Sequence, residues 1–344
     1  MMVVMKKGHS PQELQAVIDH LEEGGLSGHK IIGVERTVIG VVGQIYPELS
    51  DELRAFPGVD GTVPISKPYK LASRELRPHD TVVKVGNVEI GGGSTVIIAG
   101  QCSVDTPEQM LETARAVKAA GGHLLRGGAF KPRSSPHAFR GLVDEGLRIL
   151  ADAGAAVGLP TVSEVMDPRD VEIVAEHVDL LQIGTRNAQN YYLLDEVGNC
   201  DKPVLLKRGM ACSVEEWLLC AEYVLARGNQ QVILCERGIR TFETGTRFTL
   251  DVSAIPLAKR LSHLPVIADP SHGTGRWYLV EPMSLASVAA GADGLMVEIH
   301  PDPDRALSDG AQSLNFENFR RLMGRVRVLS EAVERPFARV PGSD

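Results

Sequence analysis

Three cations lie close together in one short stretch of the chain, and two hydroxyl side chains follow them. They are Arg126, Lys131, Arg133, Ser134 and Ser135. Two prolines within the stretch restrict its backbone and favour extended conformations at the residues before them. Guanidinium, ammonium and hydroxyl donors held on a stiff loop suit a phosphate or a carboxylate. The plain alternative is a solvated basic surface loop.

Ionisable side chains also recur just after most of the apolar runs further along the chain. In order they are Cys102, Arg126, Glu164, Arg186, Lys207, Arg208, Glu236, Arg237, Asp269, His272, Glu298 and His300. If the runs are parallel strands of a closed barrel, these side chains share one mouth. The cations could then surround a ligand with at least two anionic groups. That set is Arg126, Lys131, Arg133, Arg186, Lys207 and Arg237.

A second group has the ligand types of a divalent transition metal. Cys102, His272 and Glu298 offer a thiolate, an imidazole and a carboxylate, which together make a mixed soft and hard site. The fourth ligand would be one of three later acids: Asp302, Asp304 or Asp309. A lone buried cysteine is more often core packing than a ligand. Co-location at the ends of the first, seventh and eighth runs, which are neighbours in a closed barrel, favours the metal site.

Eight apolar runs provide the strands that would position these groups. They are Thr95–Ala99, His123–Leu125, Pro160–Val162, Leu180–Ile183, Pro203–Leu206, Gln231–Leu234, Pro265–Ala268 and Gly294–Val297. Amphipathic helical patterns lie between most of them, which predicts a parallel sheet closed into a (β/α)8 TIM barrel of the α/β class. An open doubly wound sheet would need a glycine-rich turn after the first strand, and Gly100-Gln101-Cys102-Ser103 does not fit it.

The N-terminal part of the chain has a different pattern. Up to about Ile65 the order is strand, helix, strand, strand, helix, strand, which predicts a small ferredoxin-like α+β domain. A hairpin follows, with a Gly86-Asn87 turn. We therefore expect a regulatory domain over residues 1–66, a linker and barrel-capping hairpin over 67–93, and a catalytic barrel over 94–338.

Composition excludes several classes of protein. The net charge of −8 argues against a nucleic acid or an anionic membrane as the main partner. The five cysteines show no disulfide or zinc spacing. With no signal-peptide pattern and no bilayer-length apolar stretch, we expect a cytoplasmic protein.

The motifs at the predicted strand ends are together specific to one family. They are Gly100-Gln101-Cys102-Ser103, Leu125-Arg126-Gly127-Gly128-Ala129-Phe130-Lys131-Pro132-Arg133-Ser134-Ser135-Pro136, Gln182-Ile183-Gly184-Thr185-Arg186-Asn187, Leu206-Lys207-Arg208-Gly209, Cys235-Glu236-Arg237-Gly238, Asp269-Pro270-Ser271-His272 and Glu298-Ile299-His300-Pro301. Over essentially its whole length, the chain resembles the 3-deoxy-D-arabino-heptulosonate 7-phosphate (DAHP) synthases, in their short form with an N-terminal ferredoxin-like regulatory domain.

The resemblance implies a transferase that condenses phosphoenolpyruvate with erythrose 4-phosphate and releases phosphate, the first step of the shikimate pathway to aromatic amino acids. It also implies a divalent metal cofactor, and Mn²⁺, Co²⁺, Fe²⁺ and Zn²⁺ are equally compatible with it. The implied metal ligands are Cys102, His272, Glu298 and Asp309, because Leu307-Ser308-Asp309-Gly310 matches the family loop.

The remaining roles are carried over by the same resemblance. Arg186, Lys207 and Arg237 match the phosphoenolpyruvate phosphate site, and Arg126 and Lys131 match its carboxylate partners. The erythrose 4-phosphate site would use Arg133 and Ser134. Asp269 matches a residue near the sugar hydroxyls. We also expect Glu236 to contribute to substrate binding. The expected catalytic residues are Lys131, His272, Glu164 and Asp269; the group that handles the water proton is left open among Lys131, Glu164 and a metal-bound water.

Two positions depart from the family pattern. Gln101 stands where the family usually has proline, and Ser134 stands where it usually has threonine but keeps the hydroxyl. Gln101 precedes Cys102, so it leaves room for a paralogue that uses another aldose phosphate.

Three other functions compete with this one. The sister 3-deoxy-octulosonate 8-phosphate synthases usually carry Ala-Asn within the cationic loop, where this chain has only Pro132 between Lys131 and Arg133. A Schiff-base aldolase using Lys207 would survive chelation and be trapped by borohydride. An amino-acid sensor with an inactive barrel would not need the complete set of charged strand-end residues.

The resemblance also implies feedback regulation and assembly. Tyrosine or phenylalanine would bind to the N-terminal domain between subunits of a homotetramer and close access to the barrel. The residues themselves support only the fold pattern of this domain, so an oligomerisation unit without an effector is the alternative.

Overall fold

The computed structural model describes residues 1–32, 36–63, 68–131, 137 and 139–338. The chain forms two compact units, Met1–His79 and Asp80–Asp344. The functional division at residues 66 and 93 stays a prediction. Among the described residues, every helix is too short or too polar to cross a lipid bilayer.

The first unit has the predicted ferredoxin-like fold. Its elements are β1 (Met2–Met5), α1 (Pro11–Glu23), β2 (Ser27–Ile32), β3 (Thr37–Val42), α2 (Leu49–Arg54) and β4 (Val59–Val63). The strands form one antiparallel sheet in the order β2-β3-β1-β4. Helix α1 begins at a capping box, in which Ser10 and Glu13 satisfy each other's backbone N–H groups. Its apolar face, with Val17 and Leu21, packs in the core of this unit.

The second unit begins with a hairpin and continues as a closed parallel barrel. The hairpin is β5 (Val83–Val85) and β6 (Val88–Ile90). The barrel strands are β7 (Val96–Ser103), β8 (Leu124–Gly128), β9 (Thr161–Val165), β10 (Leu180–Ile183), β11 (Val204–Lys207), β12 (Val232–Glu236), β13 (Val266–Ala268) and β14 (Gly294–Glu298). Strand β14 pairs with β7 and closes the ring, which confirms the predicted eight-stranded barrel.

Helices follow the strands. They are α3 (Pro107–Ala119), α4 (Asp144–Val157), α5 (Val171–His177), α6 (Tyr191–Gly198), α7 (Val214–Ala226), α8 (Ala254–Leu261), α9 (Pro270–Thr274), α10 (Trp277–Ala289) and α11 (Phe316–Ala332). The helical pattern in the sequence predicts a helix over Met283–Ala290, but α10 begins six residues earlier, at Trp277. Pro282 lies inside the helix, and a proline favours a helix boundary, which explains why the predicted start is late.

The hairpin closes the N-terminal end of the barrel. Val83, Val85, Val88 and Ile90 are fully buried in one apolar cluster with the first residues of the barrel strands. The candidate functional side chains lie at the opposite end, where parallel strands of a barrel direct such groups.

The strands extend further than their apolar runs predicted. The sequence placed the ionisable groups after the strands, but several lie within the C-terminal parts of the strands themselves. These are Cys102, Arg126, Glu164, Lys207, Glu236 and Glu298. Ladder hydrogen bonds use only the backbone, so a polar side chain that points into the barrel does not end a strand. Strand placement makes these side chains more rigid than loop placement would.

Candidate metal and anion site

A bulge in the first barrel strand aims Cys102 into the mouth. Gln101 pairs with Gly127 and Ser103 pairs with Gly128, so Cys102 is an extra residue on β7. A bulge re-aims a side chain in this way. Gln101 itself turns outward, where it is buried and donates to the Thr113 hydroxyl at 3.0 Å. The glutamine that replaces the usual proline therefore packs against α3.

Gly100 allows strand β8 to approach β7 closely beside a buried charged pair. It lies in register between Arg126 of β8 and Glu298 of β14. A Cβ at Gly100 would lie only 2.0 Å from the Arg126 carbonyl oxygen, so the backbone of β8 leaves no room for a side chain there. The Arg126 guanidinium donates to the Glu298 carboxylate, and both groups are buried.

Four side chains from separate segments converge as a candidate metal centre. Atoms of Cys102, His272, Glu298 and Asp309 lie within 4.8 Å of one another. The structure therefore places Asp309 at this point, whereas the alternatives Asp302 and Asp304 are exposed. Asp309 adopts a left-handed backbone conformation, which aspartate tolerates better than most residues. The group could hold a metal ion, and its donor types fit a divalent transition metal.

The arrangement of lone pairs supports a cation at this centre. The His272 Nδ1 lies 2.7 Å from Asp269 Oδ2, and its Nε2 lies 3.2 Å from Glu298 Oε1. Burial lowers the pKa of His272, which favours the neutral ring. A neutral ring that donates from Nδ1 presents the Nε2 lone pair to a carboxylate. The Cys102 thiol donates to Asp309 Oδ2 at 3.3 Å, so a metal ion among the four ligands would take the place of the thiol proton and would relieve the approach of Nε2 to Glu298.

Asp269 connects the metal centre to a buried lysine. Its Oδ2 accepts from Lys207 Nζ at 2.5 Å and from the His272 ring, while Oδ1 accepts the His272 N–H at 3.0 Å. Burial opposes its charge, but the neighbouring His272 and Lys207 outweigh burial and hold the pKa of Asp269 well below its usual range. A carboxylate behind a ligand histidine fixes the ring orientation and tautomer.

Lys131 is held against the thiol. Its Nζ lies 2.9 Å from both the sulfur and the carbonyl oxygen of Cys102. Burial raises the pKa of the Cys102 thiol to about 12, and the negative charge of Glu298 adds to this effect. Lys131 opposes the shift. A metal bound through sulfur would therefore displace a proton.

Arg237 differs from the other buried cations. It is 2% exposed, its Nε has no hydrogen-bond partner, and no described carboxylate forms an ion pair with it. Its guanidinium stacks on Phe248 at 4.1 Å from the ring centroid and donates weakly to the Gly238 carbonyl at 3.3 Å. Burial lowers the pKa of Arg237 to about 10. An uncompensated buried cation creates a strong site for an anion.

Glu236 precedes this arginine and is fully occupied by protein groups. One oxygen accepts from Arg208 at 2.9 Å, and the other accepts the Gly238 N–H at 2.6 Å. Arg208 also pairs with Asp251 at 2.9 Å. These bonds fix the backbone turn that points Arg237 into the mouth.

Glu164 has one unoccupied oxygen. Its Oε2 accepts from Gln182 at 3.0 Å, whereas its buried Oε1 has no described hydrogen-bond partner. A Cβ at Gly184 would lie 2.0 Å from that oxygen, so the glycine provides the space for it.

One predicted substrate residue that the structure describes, Arg186, lies apart from this network. Arg186 is exposed in the short turn after β10, and no hydrogen bond or ion pair joins it to another described site residue. Arg133 and Ser134 lie outside the described residues.

Three residues that support the metal ligands were not predicted from the sequence. Gln312 donates to Glu298 Oε2 at 2.5 Å, the Ser271 hydroxyl accepts the Glu298 N–H at 3.0 Å, and Arg247 reaches Asp309 at 3.4 Å. None is the first residue after a strand. The prediction relied on ionisable side chains just after the apolar runs, so it did not include these three residues. For Ser271, its place beside His272 in the motif that follows the seventh barrel strand was an available signal.

Comparison with known sequences assigns the family. The sequence model of the DAHP synthetase I family matches residues 72–334. The chain belongs to this family. A second model, the DAHP synthase ferredoxin-like domain, matches residues 1–67. The family thus accounts for both the barrel and the N-terminal sheet.

Relatives within the family carry two different names. The phospho-2-dehydro-3-deoxyheptonate aldolase of Thermotoga maritima is 48% identical over 333 residues, covering 97% of this chain and 98% of the relative. The 2-dehydro-3-deoxyphosphooctonate aldolase of Syntrophotalea carbinolica is 33% identical and covers 73% of this chain and 97% of its own. A crystal structure of the Thermotoga maritima DAHP synthase matches with a TM-score of 0.78 at 47% identity and covers 98% of each chain. The chain is therefore a DAHP synthetase I family enzyme.

Proposed function

We propose that this family member condenses phosphoenolpyruvate with erythrose 4-phosphate and water to give DAHP and inorganic phosphate. The observation that carries the proposal is Arg237, a buried cation without a carboxylate partner, in the same barrel mouth as a four-ligand metal group. The full-length similarity to a heptonate aldolase supports the four-carbon aldose over the five-carbon one.

The metal is proposed to be a divalent ion held by Cys102, His272, Glu298 and Asp309. When bound, it would act as a Lewis acid on the aldehyde oxygen of the sugar phosphate. The ligand types admit Mn²⁺, Co²⁺, Fe²⁺ or Zn²⁺.

The cations are proposed to hold the two substrates beside each other. Arg237, Lys207 and Arg186 would receive the phosphoenolpyruvate phosphate, and Arg126 and Lys131 its carboxylate. Arg133 and Ser134 would bind the phosphate of the aldose. Neutralising two mutually repelling anions at one place supplies the orientation that the bimolecular step needs.

The bond changes of the reaction require proton transfers, which side chains of the protein would carry out. The C3 carbon of phosphoenolpyruvate bonds to the aldehyde carbon, and the aldehyde oxygen becomes a hydroxyl. Water adds at C2, after which the C2–O bond to phosphate breaks and leaves the ketone. The buried unoccupied oxygen of Glu164 supports its role as the acceptor of the water proton. Lys131 would give a proton to the aldehyde oxygen as that oxygen becomes the hydroxyl, and the second proton of the water would leave with phosphate as the ketone forms.

Two predicted residues receive positioning roles in this proposal. Asp269 is fully buried and bonded to Lys207 and His272, so it would orient both rather than contact the sugar. Glu236 would hold the turn that carries Arg237.

The proposal extends to regulation and assembly. The N-terminal domain would bind tyrosine or phenylalanine, and the enzyme would assemble as a homotetramer. The match to the DAHP synthase ferredoxin-like domain supports a regulatory role. Adding each amino acid to the full-length enzyme and measuring the initial rate tests it; unchanged rates with both would leave only the oligomerisation role.

Phosphate release from phosphoenolpyruvate tests the reaction. We expect release with erythrose 4-phosphate, little release with arabinose 5-phosphate, and loss of release after EDTA treatment that added metal restores. Faster release with the five-carbon aldose would assign the octulosonate reaction instead. Release that survives EDTA would contradict the metal role.

A further inference from the structure

Arg247 lies in the segment between β12 and α8. It contacts one metal ligand directly and is linked to two others through neighbouring residues. Its Nη1 lies 3.4 Å from Asp309 Oδ2 and donates to Gln312 Oε1 at 3.0 Å. Gln312 in turn donates to Glu298 at 2.5 Å. One guanidinium therefore contacts one ligand directly and reaches a second through an amide.

The backbone of Arg247 is fixed to the third ligand's helix. Its N–H donates to the Thr274 carbonyl at 2.9 Å, at the end of the short helix α9 that carries His272. A Cβ at Gly275 would lie 2.6 Å from the Arg247 Cβ, so the arginine stem crosses over the glycine. The side chain is thus held at its base as well as at its tip.

The next residue connects Arg247 to the anion site. Phe248 stacks on Arg237 at 4.1 Å, and the Arg247 guanidinium lies 5.9 Å from the same ring. Two consecutive residues therefore contact the cation proposed to bind phosphate and the ligands proposed to bind metal.

We propose that Arg247 is a positioning residue that holds Asp309, and through Gln312 also Glu298, in place for the metal ion. This inference rests on the metal site of the proposed function. A partly exposed ion pair alone contributes little to stability, so the contribution of Arg247 would be geometric. Removing hydrogen-bond partners of metal ligands typically weakens metal binding about 10- to 100-fold.

Titration of the full-length protein with Co²⁺, without substrates, tests the proposal. The thiolate-to-cobalt charge-transfer absorption reports occupancy through Cys102. We expect Arg247→Met to weaken Co²⁺ binding about 10- to 100-fold. Arg240→Met is the matched control, because Arg240 is an exposed arginine of the same segment, and we expect its Co²⁺ affinity to equal that of the wild type.

A conservative variant covers the case in which Arg247→Met fails to fold, as judged by its melting curve. In Arg247→Lys the charge remains, but an ammonium does not reproduce the planar guanidinium fork, so we expect an intermediate loss of affinity. Affinities of both Arg247 variants equal to that of Arg240→Met would overturn the proposal, as would a wild-type protein without the charge-transfer band.

The outcome separates this inference from the proposed reaction. A Co²⁺ affinity loss in a protein that releases no phosphate would keep the role of Arg247 and reject the reaction. Phosphate release with no difference in Co²⁺ affinity between the Arg247 and Arg240 variants would keep the reaction and reject the role of Arg247. In an active enzyme, we also expect saturating metal to restore most of the kcat of Arg247→Met.

Discussion

The two halves of the barrel mouth handle buried charge differently. In one half the buried carboxylates have cationic partners, as in the Arg126–Glu298 and Lys207–Asp269 pairs. In the other half Arg237 is buried to a similar degree and forms no ion pair with a described carboxylate. The paired half is organised before any ligand arrives, whereas the unpaired half keeps an unfavourable charge that an anion would compensate.

This difference suggests how one cavity can hold both a cation and an anion. Carboxylates beside Arg237 would repel a phosphate, and a lack of cations beside Glu298 would leave the acidic ligands repelling one another. Glu236 illustrates the separation, because its carboxylate pairs with Arg208 and forms no ion pair with the adjacent Arg237. The predictions below test the two halves against each other.

The largest effect is expected at the metal centre. Cys102→Ala removes the only sulfur of the ligand group, so we expect loss of tightly bound metal and a rate lowered by more than about 100-fold. Metal content by atomic emission and the rate of phosphate release measure this. Cys200→Ala, at a partly exposed cysteine outside the ligand group, serves as the control. A fully active, metal-loaded Cys102→Ala enzyme would contradict the ligand assignment.

Replacing one arginine in each half should lower stability in the paired half only. Arg126→Met leaves Glu298 buried without its partner and should lower the free energy of unfolding by about 3–5 kcal/mol. Arg237→Met removes an unpaired buried charge and should leave stability unchanged or raise it. Urea unfolding without ligands measures both. Equal destabilisation by the two substitutions would show that the halves do not differ.

Binding of inorganic phosphate should stabilise the wild type more than Arg237→Met, and we expect this effect to be smaller than that of Arg126→Met. A ligand at 100 times its dissociation constant stabilises a protein by about 2.7 kcal/mol. We expect phosphate to raise the Tm of the wild type, and to raise that of Arg237→Met much less. Sodium chloride at matched ionic strength is the control. An equal phosphate response in both proteins would place the anion elsewhere.

The smallest effect concerns pH and the opposite end of strand β8. His123 is buried there, where Nδ1 accepts the Ile97 N–H at 3.0 Å and Nε2 donates to the Ala338 carbonyl at 3.0 Å. Burial lowers the pKa of His123. The unfolded chain therefore binds the proton more readily, and stability should fall as pH drops below about 6.5, by at most about 1.4 kcal/mol per pH unit.

A variant isolates this histidine from other titrating groups. In His123→Gln the contribution of residue 123 disappears, so the urea midpoint should decline less between pH 7 and pH 5 than in the wild type. An identical pH dependence in both proteins would contradict a neutral buried His123.

The fold and most of the site's chemistry could be predicted because both follow from repeating patterns. Apolar runs spaced between helices indicated the barrel, and the groups near their ends indicated the mouth. The bulge at Cys102 and the gap at Gly100 could not be predicted, because both depend on register between strands far apart in sequence. The pairing of charges could not be predicted either. Nothing in the sequence indicates that Glu236 forms an ion pair with Arg208 while Arg237 forms none with a described carboxylate.

The most direct measurement is anomalous diffraction from crystals soaked with Mn²⁺ and phosphoenolpyruvate. We predict one manganese peak at Cys102, His272, Glu298 and Asp309, with the phosphoenolpyruvate phosphate against the Arg237 guanidinium in the same mouth. Manganese bound to other residues, or phosphoenolpyruvate bound away from Arg237, would contradict the shared cation and anion site.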